Sequence, residues 1–197
     1  LNWDTPWTAG AQFSAICVFS VTQLKNKEKE ENIKNLYSYL NKTVDSESGF
    51  YHKDSPVNDR ELINGAMKVI TGLDWINRPI HYPEKIIDLC LKHEPNPEGC
   101  DIVDTVYVLF KCFQQSEYKR EEINEYFDNV KIIISEHFND EYNSFSYYKE
   151  KSQDYYYGLK IAQGRKEPDI HGTTLLLWAM SMIYNFQGNK EYKIIKP

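Results

Sequence analysis

The sequence predicts an all-α protein in which buried and surface helices alternate, an α/α toroid built from helical hairpins. Three observations lead there. Glycine and proline are scarce, at 9 and 8 of 197 residues, which disfavours a turn-rich all-β chain and leaves room for long helices. Apolar residues recur at helical spacing nearly throughout. Segments that are apolar on most sides alternate with striped, charged ones. A helix of the first kind is buried and one of the second kind lies at the surface.

In chain order, residues 8–24 form an almost continuously apolar helix. Residues 28–43 are amphipathic, with Ile33, Leu36, Tyr37 and Leu40 on one stripe and lysines and glutamates opposite. Residues 59–76 are again mostly apolar. Residues 83–92 make a short helix whose Pro83 suits a first turn. Residues 101–114 are strongly apolar, 121–138 are charged on one face, and 169–184 close the series. The inner helices therefore start near 8, 59, 101 and 169, and the outer ones near 28, 83 and 121. A plain helical bundle gives no reason for such alternation. The longest connection, residues 145–168, holds five tyrosines. Disordered segments are poor in aromatics, so it reads as an ordered flap with a short hairpin.

The chain also repeats itself. "INGAMKVITGLDWI" from Ile63 aligns without a gap onto "IHGTTLLLWAMSMI" from Ile170, and "DSESGF" from Asp45 matches "DEYNSF" from Asp140. Two weaker copies place Gly10 and Asp104 where Gly65 and Gly172 stand. The small residues at these positions suit close packing of an inner helix on an outer one.

Composition limits the partners. Hydrophobic residues are 41% and charged ones 26%, enough for a core, and the net charge is −6. A nucleic-acid surface is ordinarily basic, and anionic lipid repels an acidic chain, so neither is expected. No apolar run reaches the roughly 18 residues of a membrane span. Cys17, Cys90, Cys100 and Cys112 form no C-x-x-C pair and read as reduced, which favours the cytoplasm. Residues 1–197 read as one domain. Beginning at Leu1 and holding four inner helices, it is expected to be the C-terminal part of a longer ring. The sequence sets no oligomeric state.

In a toroid all inner helices run the same way, so their N-termini gather at one mouth. Acids there complement the helix dipole and can cap the first turn. Asp59, Asp101 and Asp169 are candidates for that role. As a set, the mouth residues read as a polar pocket with aromatic walls. His171, which can exchange protons near neutral pH, is the leading catalytic candidate, with Asp101 or Asp104 as its proton-exchanging partner and Asp169 orienting it. Trp3, Trp7 and the flap residues Tyr155, Tyr156 and Tyr157 would contact a substrate, since their faces suit sugar rings and prenyl chains alike. Asp59, Arg60, Asn64 and Arg165 would line the same mouth, the arginines suiting an anionic group. No P-loop, dinucleotide-binding glycine motif, G-x-S-x-G or H-E-x-x-H occurs.

The turns "SGFY" and "NSFSYY" leading into "INGAMKVI" and "IHGTTLLLW" resemble those of the terpenoid cyclase and protein prenyltransferase superfamily of α/α toroids, which often carry a D-G-x-F/W turn before each inner helix. "DSESGFY" is similar to that turn, without the preceding glutamine. The D-x-D-D motif of class II cyclases is absent. "GCDIVDTVYVLF" and "DIHGTT" are similar to the zinc-ligand segments of the prenyltransferases. The resemblance therefore raises zinc on Cys100, Asp101 and His171, although Cys100 and Asp101 are adjacent and in reversed order, and Ile170 replaces the family's tyrosine. The residues alone call for no cofactor. Related toroids include glycoside hydrolases, lyases and sugar epimerases. The leading expectation is an enzyme or enzyme-like protein that takes a glycan or other small molecule. The alternatives are a prenyl or terpenoid enzyme and a non-catalytic helical-repeat scaffold for a protein partner.

Overall fold

The computed structural model describes residues 1–53, 57–189 and 191. Among them lie seven helices: α1 (Pro6–Gln23), α2 (Asn26–Leu40), α3 (Asp59–Trp75), α4 (Pro83–Cys90), α5 (Gly99–Ser116), α6 (Arg120–Ser135) and α7 (Ile170–Phe186). Two antiparallel hairpins join them, β1 (Phe138–Asn139) with β2 (Ser144–Phe145), and β3 (Tyr155–Tyr156) with β4 (Leu159–Lys160). The largely all-α class is as the periodicity predicts, and each expected helix is present within a few residues of its expected ends. No helix of the described residues is long and apolar enough to cross a membrane.

The contacts divide the chain into two compact units. The first comprises residues 1–93 and 111–119, the second residues 94–110 and 120–197.

In the first unit, α1 and α3 lie side by side and run parallel. Pro6 meets Gly65, Gly10 meets Lys68 and Val69, and Ser14 meets Gly72. The glycines allow the backbones to touch. A methyl on Gly65 would come within 2.7 Å of Pro6 Cβ, and one on Gly10 within 2.7 Å of the Gly65 carbonyl oxygen. Gly65 therefore packs on another apolar helix, not on an outer one as its spacing suggested. The starts of the two helices are also joined. Asn58 caps α3 by accepting from Glu61 N at 2.9 Å, and Glu61 accepts from Trp7 N at 2.9 Å. The Glu61 carboxylate thus takes one of the orphan amides of α1, whose own N-cap residue, Thr5, makes no side-chain capping bond. Phe13, Leu40, Phe50, Ile63, Ile70, Leu73 and Ile87 are fully buried in this unit. Cys17, Cys90 and Cys112 are buried free thiols. Burial pushes the Cys17 thiol up to about 12 and raises the other two well above the ordinary thiol range, so they behave as small core hydrophobes.

In the second unit α5 and α7 start together and run parallel. Gly99, the first residue of α5, donates to the Tyr147 carbonyl at 2.9 Å, and Gly172 in the first turn of α7 lies against the same residue's backbone. Further along, Tyr107 and Trp178, the ninth residue of each helix, are in ring contact at 5.4 Å. The surface helix α6 runs the opposite way to α7, with Phe127 against Phe186 at 5.1 Å. Ile102, Val106, Leu109, Ile123, Phe127, Leu176 and Ile183 are among the buried side chains of this unit.

The repeated turn is present in both units, one residue out of the register expected from the sequence. Asp45 accepts from Ser48 N at 2.9 Å, and Asn139 accepts from Tyr142 N at 3.2 Å. The fifth residue of each turn is left-handed, Gly49 (φ 83°) and Asn143 (φ 49°). The equivalence is therefore Asp45 with Asn139, not with Asp140. The Asx acceptor and the left-handed position define the turn, and aspartate and asparagine exchange freely there. In the β3–β4 hairpin, Tyr157 (φ 49°) and Gly158 (φ 77°) are both left-handed, the geometry that two-residue hairpin loops favour.

Burial in the fold disfavours the charged form of two histidines. His81 sits between Tyr51 Oη (3.2 Å) and Asn41 Oδ1 (2.6 Å). His137 contacts the Ser146 carbonyl oxygen through Nδ1 at 2.9 Å and is 1% exposed. Burial lowers the pKa of both below the ordinary 6.5, the Ser146 contact opposing it at His137. The unfolded chain then takes up protons first as pH falls. Stability contributed by these rings is full above about pH 6.5 and declines below it. Both ring resonances are expected to titrate below 6.5 in an NMR pH series; midpoints above 6.5 would contradict their burial.

Candidate functional site

The starts of α5 and α7 converge on one residue, Tyr147, which sequence reasoning did not single out. Its carbonyl accepts from Gly99 N, and its N–H donates to Asp169 Oδ2 at 2.8 Å. Its ring stacks on His171, with centroids 5.2 Å apart and planes 18° from parallel. Burial, together with a hydrogen bond to Cys100, pushes its phenol well above the ordinary range. One tyrosine thus ties the flap, both helix starts, the Cys100 thiol and His171 together.

Asp169 caps α7, as expected. Its Oδ1 accepts from Gly172 N at 2.7 Å, and its Oδ2 accepts from Tyr147 N and from Gln153 N at 3.1 Å. These three backbone bonds engage the carboxylate. The side chain on the His171 ring is that of Gln153, whose Oε1 lies 2.7 Å from His171 Nδ1. Asp169 accepts from the Gln153 backbone N–H, and so it is linked to His171 by way of Gln153. Thr173 completes the anchorage: its hydroxyl donates to the Phe145 carbonyl at 2.9 Å and accepts from Phe145 N at 3.1 Å.

The other wall is the β3–β4 hairpin. Tyr156 meets the His171 ring edge-on at 6.0 Å and packs against Tyr157 at 4.5 Å. Tyr155, Tyr156 and Tyr157 are 50%, 48% and 68% exposed. Two of the expected residue sets, His171 and the flap tyrosines, are thus neighbours.

The acids of α5 are placed differently. Asp101 is fully buried, and its Oδ2 accepts from Asn96 N at 2.6 Å. It sits three residues into the helix and holds the approach to it rather than capping it. Asp104 is 3% exposed. Arg165 is exposed, with its Nε on Gln163 Oε1 at 2.9 Å and its carbonyl accepting from Ser152. Among the described residues, no group of three or more His, Cys, Asp or Glu side chains could hold a metal ion. Cys100, Asp101 and His171 do not form the zinc set that the resemblance raised.

The remaining expected residues belong to the first unit. Trp3 is 5% exposed and donates its indole N–H to Tyr39 Oη at 2.8 Å, which makes it a core residue. Trp7 and Arg60 are half-buried, and Asp59 is exposed in the first turn of α3, where Asn58 is the cap. Asn64 occupies the repeat position of His171, and its Oδ1 is buried without a hydrogen-bond partner. A cleft of about 290 Å³ in the second unit has Glu136, His137, Asp140, Glu141, Glu150 and Lys166 among its walls and includes none of the expected site residues.

No protein-family model, curated protein or solved structure matches the chain.

Proposed function

We propose that the chain is an α/α-toroid-type domain whose second unit binds a polar, ring-bearing small molecule, a glycan above all, at the starts of α5 and α7, with His171 as its proton-exchanging group. The observation that carries this reading is His171 held through Nδ1 by Gln153 while its ring lies between Tyr147 and Tyr156. With Nδ1 donating to the Gln153 amide oxygen, Nε2 carries the basic lone pair. The exposed tyrosines offer faces for a sugar ring and hydroxyls for its polar edge.

Thermal unfolding against neutral and acidic oligosaccharides and farnesyl diphosphate tests the reading. A ligand at about 100 times its Kd adds roughly 2.7 kcal/mol. An upward shift with an oligosaccharide is expected, lost in Tyr156→Ala. In His171→Ala any turnover of that sugar is lost while folding is kept. Gln153→Leu, which cannot fix the tautomer, is expected to lower turnover more than binding. A shift with farnesyl diphosphate alone would favour the prenyl reading. No shift with any of them would overturn the small-molecule reading. The scaffold reading has its own support in the exposed apolar residues of α1 and α7.

A further inference from the structure

The cleft of about 290 Å³ in the second unit takes no part in the function proposed above. Its walls come from the end of α6, the β1–β2 hairpin and residues 150, 166 and 167 of the flap. The last turn of α6 holds no basic residue, so the partial negative charge of that helix end is not countered there. Two of the wall carboxylates have cations of their own: Glu136 pairs with Lys149 at 3.1 Å and Glu150 with Lys166 at 3.0 Å. Asp140, Glu141 and Glu167, also in the wall, form no ion pair among the described residues.

Acids alone make an ordinary solvated surface. His137 adds a second, independent feature. It lines the same cleft and is 1% exposed. Its Nδ1 lies 2.9 Å from the Ser146 carbonyl oxygen, which can only accept, so Nδ1 carries the hydrogen. In the neutral ring, which burial favours, Nε2 is then a lone pair. That atom is buried without a hydrogen-bond partner, although buried polar groups in folded proteins are nearly all paired. Ser146, another wall residue, gives its hydroxyl hydrogen to the Tyr148 carbonyl at 2.7 Å and keeps its lone pairs. The unmet groups of the cleft are therefore acceptors, and the ligand that matches them carries N–H donors and positive charge. A bare metal ion does not fit, since no group of three or more His, Cys, Asp or Glu among the described residues could hold one.

We propose that this cleft binds a small aliphatic polyamine, with one primary ammonium donating to His137 Nε2 and the others lying on Asp140, Glu141 and Glu167. An ammonium has three donors and no acceptor, the complement of such a wall. The unpaired acids come from two places in the chain, the hairpin turn and the return of the flap, which suits a ligand charged at both ends. The volume lies at the lower end of the range of ligand pockets, about 300 Å³, and suits a small molecule. The proposal does not rest on the reading of His171.

Titration of the whole chain with spermidine at fixed low salt, followed by calorimetry and by the histidine ring resonances, tests it. Saturable binding is expected, with the His137 resonances moving and those of His52 and His171 unmoved. Asp140→Asn with Glu141→Gln is expected to weaken binding about tenfold or more. Glu30→Gln with Glu31→Gln removes the same charge from exposed positions of α2 and is expected to leave binding unchanged. An equal loss in both double variants would overturn the proposal, because net charge alone would then hold the ligand. So would tetramethylammonium, a cation without N–H, moving the His137 resonances as spermidine does. Nα-acetyl-lysine amide presents one ammonium as a protein side chain does and is expected to bind at least about tenfold more weakly than spermidine; equal affinity would overturn a polyamine as the occupant. Absence of spermidine binding, or movement of the His171 resonances in place of those of His137, would overturn the site itself.

Discussion

Gly172→Ala is expected to destabilise the second unit by about 2 kcal/mol or more, although alanine is the better helix former. In an open helix the change gains at most about 1 kcal/mol. Here the added methyl would collide with Tyr147 N, Ser146 C and Tyr147 Cα, all backbone atoms. That segment cannot retreat, because Tyr147 N is held by Asp169 and Tyr147 O by Gly99 N. Overpacking against a fixed wall costs about 1–3 kcal/mol and sometimes more, so the steric term outweighs the propensity. The measurement is the thermal midpoint beside the His171 ring resonances, which should move because the displaced Tyr147 ring is the one stacked on His171. A raised midpoint with unmoved resonances would mean that α7 does not lie against Tyr147.

The helices were legible because burial leaves its period in the sequence. The stripes of 28–43 and 121–138 and the apolar runs between them place seven helices to within a few residues. Gly65 and Gly172 were legible as close-approach positions, since a glycine inside a strong helical pattern costs stability and needs a packing reason. What each glycine touches was not legible. Gly65 meets Pro6, and Gly172 meets a loop, and both are contacts between residues distant in sequence. The same limit hid Gln153 and Tyr147. Neither lies in a periodic segment, and their importance comes from reaching His171 across 18 and 24 residues. Trp3 was misplaced for a related reason. A tryptophan before a helix start reads equally well as a pocket wall or as a core residue, and only the partner of its indole N–H, Tyr39, decides. The repeated turn slipped by one residue because a search for identical letters matched aspartate to aspartate, whereas the backbone asks for any Asx acceptor and a left-handed residue four positions later.

Asp169→Ala is the other substitution with a large expected effect, about 3 kcal/mol. An N-cap alone is worth about 1 kcal/mol, and Asn58→Ala in α3, which loses the Glu61 N bond, is the natural measure of that. Asp169 does more, because its carboxylate also accepts from Tyr147 N and Gln153 N. Removing it leaves three amides, two of them in the segment across α7, without their charged acceptor, and each such bond is worth about 1.5–3 kcal/mol. Part of this is recovered where water reaches the amides, so the sum falls well short of three full bonds. Asp169→Asn keeps an acceptor oxygen for Gly172 N and is expected to lose less than the alanine variant. Denaturant unfolding of the three variants gives the order Asp169→Ala, then Asp169→Asn, then Asn58→Ala, from most to least damaging. If Asp169→Ala costs no more than Asn58→Ala, the carboxylate is a helix cap only, and the chain of contacts from Asp169 through Gln153 to His171 does not hold the ring.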